Sequence, residues 1–346
     1  LEPASLPALG KVQYDISMAI PRSWLLCCAT LLCGCACFAQ TANTPNPKLP
    51  FELKLIGPNI WAAIDTPKGD AGANAGFVVG DDGVLVIDTF ENEAAAKVLM
   101  NEIHRLTHLP VKFVVNTHYH LDHVAGNRVF YNEGAVIVGQ HSVRTWIHTE
   151  NLKFFGDKIK PEEKKFVENL LSPEVTYNEG VTLYLGNRRI DVIFMDGHTG
   201  GDSVVNIPDA GVVFCGDLFW NRTLPNLIDA DTRRWDVTLH NILSLPVQTH
   251  TEGTRETAAV FVPGHGDVGK DSDLLAFQTY LSDLRGMVEK AQQSGKKGDE
   301  QVNAVLPQLA EKYGSWSFYK DFSRSNILDM ASELEGSKRV PVREKK

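Results

Sequence analysis

The apolar run Val111-Lys112-Phe113-Val114-Val115-Asn116 leads straight into Thr117-His118-Tyr119-His120-Leu121-Asp122-His123, which sets three imidazoles and a carboxylate in six consecutive positions. Borderline metals such as zinc are held by neutral imidazole nitrogen and carboxylate oxygen. If the chain leaves a strand at Asn116, period-two alternation sends His118 and His120 to the same side, toward one metal. Asp122 and His123, adjacent at the turn into the next element, then face a second one. A His-rich surface loop is the bland alternative, and it leaves the ordered spacing unexplained.

Three further stretches have the same form, an apolar strand followed by a glycine-flanked residue of metal-binding type. Residues 190–195 lead to Asp196-Gly197-His198, residues 212–215 to Gly216-Asp217, and residues 260–262 to Pro263-Gly264-His265-Gly266. Glycine beside a ligand lets the backbone turn sharply and approach a metal closely. Open sheets also place their ligands outside the carboxyl ends of the strands. Singly, His198 or His265 could be a satisfied core histidine; four such strand ends in one chain point to one composite site.

In this order, the 118–123 stretch, Gly197-His198, Gly216-Asp217 and Gly264-His265 resemble the signature series of the metallo-β-lactamase fold superfamily, over residues 51–270. The resemblance implies an α/β fold, an αββα sandwich of two mixed β-sheets packed face to face with helices outside. It further implies two Zn2+ per chain at one edge. His118, His120 and His198 would hold the first, Asp122, His123 and His265 the second, with Asp217 bridging both. Asp88, at the end of a strand that matches an early family motif, would orient a ligand from behind. Imidazole and carboxylate donors alone do not choose zinc over iron or manganese.

Zinc lowers the pKa of bound water to about 7, so a hydroxide nucleophile is available at neutral pH and no Ser or Cys nucleophile is needed. Asp122 is the candidate catalytic residue, handling protons at that water. The expected activity is the opening of a cyclic amide of β-lactam type in a small-molecule acyl substrate. The alternative is a lactone or thioester hydrolase of glyoxalase-II type, because β-lactamases of the superfamily usually carry Cys or Ser where this chain has Asp217. A different class stays open: a metal-binding accessory protein without turnover. Arg222, with Asn221 beside it, is the candidate anchor for a substrate carboxylate, and the aromatic stretch 151–156 a candidate cleft wall. Cys215 reads as a core thiol.

The rest of the chain frames this core. Met18-Ala19-Ile20-Pro21-Arg22 followed by the apolar stretch 24–39 predicts a signal peptide with a start at Met18 and cleavage near Ala39, hence export to the periplasm and no stable membrane span afterwards. Cys35 is a weaker candidate for a lipid anchor. Five of the six cysteines fall in this leader, so no disulfide is expected in the mature part. A linker over 40–50 precedes the catalytic domain, 51–270, and a helical extension, 271–346. A net charge of -9 argues against nucleic acid as a partner.

Strands are expected over 51–55, 60–64, 76–79, 84–88, 111–116, 135–138, 181–185, 189–195, 203–207, 212–215 and 260–262. Helices are expected over 91–106, 142–150, 161–171, 235–243, 274–292, 299–312 and 322–335. The aromatic residues within 314–319 are expected to dock the C-terminal helices on the core.

Overall fold

Runs of four to nine residues that bury every side chain need cover on both faces, and the strands here have it. In the computed structural model, which describes residues 49–343 apart from 67, 157 and 246–259, the first sheet has the order β1 (Phe51–Gly57), β2 (Ile60–Asp65), β3 (Ala75–Val79), β4 (Val84–Ile87), β5 (Val111–Asn116), β6 (Val136–Gln140) and β7 (Val175–Tyr177). Its first four strands pair antiparallel and the last four parallel. The second sheet is made of β8 (Gly180–Leu185), β9 (Arg188–Phe194), β10 (Ser203–Ile207), β11 (Val212–Trp220) and β12 (Val260–His265), in the order β12-β11-β10-β9-β8. Only β11 and β12 are parallel.

All four residues of β4 are buried, and alternation divides them between two cores. Leu85 and Ile87 meet Val192, Val205, Ile207 and Phe214 between the sheets. Val84 and Val86 face outward, under the buried stripe Leu99, Met100 and Ile103 of α1 (Glu93–Leu106). The Asn92 side chain caps that helix by accepting from the Ala95 amide at 2.8 Å. Four short helices follow in sequence, α2 (Leu121–Val124), α3 (Asn127–Asn132), α4 (His141–Trp146) and α5 (Pro161–Glu168). The outer face of the second sheet, with Val204, Val213 and Phe261, is covered by Trp235, Leu239 and Ile242 of α6 (Thr232–Leu243) and by Phe277 and Leu281 of α7 (Asp271–Gln293). α8 (Gly298–Tyr313) and α9 (Tyr319–Leu334) join the same core through Val302, Val305, Ile327 and Met330. The result is the two-sheet α/β sandwich with helices outside.

Three differences from the expected elements bear on the site. β11 and β12 run on through Asp217 and His265 instead of stopping before them. They do so because Gly216 takes φ +51, shifting the β11–β12 register on either side of it. The expected helix over 142–150 ends at Trp146, and residues 150–155 form a 3-10 turn instead. The short elements β7, α2 and α3 were not expected from the sequence. No helix among the described residues is long and apolar enough to cross a membrane. The expected signal peptide and Cys35, and nearly all of the linker, lie outside the described residues.

Candidate metal centre

The carboxyl ends of β4, β5, β9, β11 and β12 open at one edge of the sandwich, and every His and Asp singled out as a ligand projects there. One group is His118, His120, His198 and Asp217; a second is Asp122, His123 and His265; within each, one donor atom per residue lies within 4.8 Å of the others. The Asp217 carboxylate stands between them. Its Oδ2 is 3.2 Å from His198 Nε2 and 3.7 Å from His118 Nε2, and its Oδ1 is 3.1 Å from His123 Nε2 and 3.5 Å from His265 Nε2. Asp122 Oδ2 lies 3.3 Å from His265 Nε2 and 3.6 Å from His123 Nε2. His120 turns Nδ1 to His198 Nε2 at 3.1 Å.

Those separations suit donors sharing a cation, since tetrahedral bonds of 2.0–2.1 Å place two ligands about 3.3 Å apart. The polar bookkeeping says the same. His118 Nε2, His123 Nε2, His265 Nε2 and Asp217 Oδ1 are buried without a hydrogen-bond partner, a cost folding does not tolerate unless something else satisfies them. Burial, with His123 beside it, drives His118 well below its ordinary pKa, leaving a neutral donor. Against burial, His265, His123, His198 and His118 hold the Asp217 carboxyl well below the carboxylate range. Asp217, Asp122 and Asp88 likewise outweigh burial and hold His123 well above its ordinary value.

Behind the donors stands a ring of supports. Asp88 accepts from the Thr117 amide at 2.8 Å and the Thr117 hydroxyl at 2.7 Å, and its Oδ2 faces His123 Nδ1 at 2.9 Å. Asp229 accepts from the Tyr119 hydroxyl at 2.7 Å, meets His120 Nε2 at 3.0 Å, and is paired with Lys153. These contacts fix which ring nitrogen of His120 and His123 points inward. Asp202 ties the His198 loop by accepting from the Gly197 and Thr199 amides at 3.1 and 2.7 Å, and burial pushes its carboxyl up to about 7. Gly264 is a steric necessity, for a Cβ there would lie 1.9 Å from Asp217 Oδ1.

Five of the donors, His120, Asp122, His198, Asp217 and His265, floor a cleft of about 320 Å³ walled by Leu121, Phe154, Phe155, Trp220, Phe318 and Phe322, with Gly72, Glu91 and Asn226 also on its lining. The 151–156 stretch therefore contributes its two phenylalanines to the wall, and Trp220 lies stacked on His265 at 4.0 Å between ring centroids. Neither Asn221 nor Arg222, the expected carboxylate anchor, is on the cleft lining. Asn221 donates from its side chain to the Asp267 carbonyl at 2.9 Å, and Arg222, at φ 50, is exposed. Cys215 is buried in the core against α6 and α7, and desolvation pushes its thiol up.

Asp229, Phe318 and Phe322 escaped the sequence reading. Asp229 sits in Leu227-Ile228-Asp229-Ala230-Asp231, just ahead of the α6 cap Asp231, where a lone acid looks like one more capping residue. Of the aromatic residues around 313–322, Tyr313 and Trp316 do dock on Tyr280 of α7. Phe318 and Phe322 turn to the cleft.

A family model for the metallo-beta-lactamase superfamily matches residues 69–265, more than half of the 346 residues, and the chain belongs to that superfamily. A hydroxyacylglutathione hydrolase of Erythrobacter litoralis is 25% identical over 260 residues, 72% of this chain and 92% of that protein. A metallo-beta-lactamase type 2 of Bacillus cereus is 23% identical over 267 residues, 72% of this chain and 93% of that one. Among solved structures, a metallo-beta-lactamase from Pontibacter korlensis shares the fold, with a TM-score of 0.53 at 23% identity over 67% of this chain and 99% of its own. The chain is a hydrolase of this superfamily with a His and Asp metal-binding cluster.

Proposed function

We propose that the chain is an exported dinuclear zinc hydrolase that opens an activated acyl bond, a lactone or related ester first and a cyclic amide of β-lactam type second. The observation that carries the reading is the convergence of seven donors, several with orphaned buried atoms, of which five line an aromatic cleft. His118, His120, His198 and Asp217 would hold one zinc, and Asp122, His123, His265 and Asp217 the other. When bound, zinc supplies a water acidified to a pKa of about 7 and polarisation of the scissile carbonyl.

The protein's own part is positioning and proton handling. Asp122 is the most accessible donor, its side chain 25% exposed against 3% for Asp217, so it is the carboxylate that can hold a proton at the cleft side. Asp88 and Asp229 lock the His123 and His120 rings, and the aromatic walls keep bulk water from the reacting carbonyl. Ester takes the first place over β-lactam for two reasons. Asp217 stands where β-lactamases usually carry Cys or Ser, and Arg222, the candidate anchor for a substrate carboxylate such as a β-lactam's, is not on the cleft lining. The likeness to the Bacillus cereus β-lactamase keeps the cyclic amide as the second reading.

The test is turnover of a lactone, a thioester and a chromogenic cephalosporin by chelator-stripped and zinc-restored protein side by side. Zinc-restored hydrolysis of the lactone ahead of the cephalosporin is expected. Protein that binds two zinc ions and turns over none of the three would be an accessory metal binder, and the hydrolase reading would fall.

A further inference from the structure

Non-glycine residues rarely adopt positive φ, and where they do the strain tends to sit at functional sites. Among the described residues five do so, and four of them, Asp88, Phe90, Arg222 and Phe318, flank this cleft in sequence or line it. The first pair brackets a segment with two tasks. Asp88, at φ 55, reaches His123, and Phe90, at φ 69, delivers Glu91 to the cleft lining. The Glu91 amide donates to the Ala71 carbonyl at 2.9 Å. Its side chain lies over Gly72, where a Cβ would come 2.5 Å from Glu91 Oε2 and where φ is +84. The second pair sets the aromatic wall. Ser317 pairs with the chain beyond β11, its amide donating to the Arg222 carbonyl at 3.0 Å and its carbonyl accepting from Leu224 at 2.9 Å. That holds Phe318 within 6.3 Å of Trp220 and 5.7 Å of Phe322, ring to ring.

The cleft thus presents a contiguous aromatic wall and, on its lining, a carboxylate whose backbone is tied to Ala71. With zinc bound, the metals and their carboxylate ligands set the charge at the floor; beside it aromatic faces attract cations, and Glu91, which is not among the proposed ligands, attracts them further while repelling anions. No Lys or Arg is among the described residues that line it. The nearby Lys153 is committed to Asp229 and stands 3.5 Å from Glu150. Resting on the hydrolase reading above, we infer that this cleft selects acyl substrates by the charge of their non-reacting end. A flat apolar group lies against Trp220, Phe318 and Phe322, Glu91 favours a positively charged nitrogen on it, and a carboxylate there is rejected.

The experiment compares three nitrophenyl esters of matched shape on the zinc-loaded full chain: phenylacetyl, 4-(aminomethyl)phenylacetyl and 4-carboxyphenylacetyl. We expect kcat/KM to fall in the order ammonium, neutral, carboxylate, with about fivefold between neighbours, the scale of a partly exposed charge pair. Glu91→Gln should compress the ammonium-to-carboxylate ratio, and Glu91→Lys should invert it. Equal rates, or the carboxylate ester fastest, overturns the inference. If none of the esters is hydrolysed, the same selection is read without turnover, from calorimetric binding of 4-(aminomethyl)benzyl and 4-carboxybenzyl mercaptan to the zinc-loaded chain. Tighter binding of the ammonium thiol would then uphold charge selection while the hydrolase reading fails. Equal binding, or none, overturns it.

Discussion

Replacing Asp229 by Ala should weaken metal binding although Asp229 is not itself a proposed ligand. Asp229 is 2% exposed and has three partners: the Tyr119 hydroxyl at 2.7 Å, His120 Nε2 at 3.0 Å, and Lys153. Lys153, with a side chain 25% exposed, can turn to water, so its loss adds little. Tyr119, fully buried, and His120, 4% exposed, cannot. Each stranded group costs about 1–3 kcal/mol, so Asp229→Ala should destabilise the fold by about 2–6 kcal/mol. Freed from Asp229, the His120 ring loses the contact that turns Nδ1 inward, and loss of such an outer partner lowers metal affinity by about 10–100-fold. Asp229→Asn keeps the shape and should fall between Ala and wild type. Zinc competition against a chromophoric chelator measures the affinity, and thermal unfolding with chelator present measures the fold. A folded Asp229→Ala protein that binds zinc within about twofold of wild type would refute the orienting role.

Three further perturbations test other parts of the account. Gly264→Ala would place a methyl 1.9 Å from Asp217 Oδ1, so it should displace that carboxylate and abolish binding of a second zinc equivalent, as read by elemental analysis of the folded variant. Lys338 donates to the carbonyls of Leu227 at 2.5 Å and Ala230 at 2.7 Å, on either side of Asp229; Lys338→Met should cost about 1–3 kcal/mol in thermal unfolding and loosen zinc by about three- to tenfold. Asp283 joins α7 to α8 through Lys312 Nζ at 2.8 Å and the Tyr313 hydroxyl at 2.6 Å, which outweigh burial and lower its pKa. A carboxyl depressed in the folded state stabilises above its unfolded pKa and loses that stabilisation as pH falls through the folded value. Asp283→Asn should therefore cost about 0.5–1 kcal/mol at pH 7, since the group is partly solvated, and nothing once the pH drops below that folded value, as followed by urea unfolding across an acid series.

The donors were legible because each rides a signal that survives without tertiary information: His118 to His123 follow an apolar strand at metal-binding spacing, and His198, Asp217 and His265 each follow an apolar strand and a glycine. His118 and His120 converge as alternation requires, and Asp217 and His265 arrive through strands that a left-handed Gly216 lets continue. The strands were legible as unbroken apolar runs such as Val84 to Ile87, covered on both faces, whereas the two-sheet sandwich was an implication of the superfamily resemblance carried by the donor motifs. What stayed hidden depends on contacts between distant segments. Asp229 is 109 residues from His120, and the pairing of Ser317 with Arg222 that aims Phe318 at the cleft has no local sequence signature. Arg222 carries no such signal either: a residue following a site strand can as easily face solvent as the cleft, and Arg222 is exposed and not on the cleft lining.

The most direct measurement is a zinc titration of the chelator-stripped full chain, following bound metal and ester hydrolysis in the same samples. Binding of two equivalents per chain, with turnover appearing as they bind and lost again on chelation, is the predicted result. Turnover that persists in stripped protein, or two bound equivalents with no hydrolysis of any acyl substrate, would contradict it.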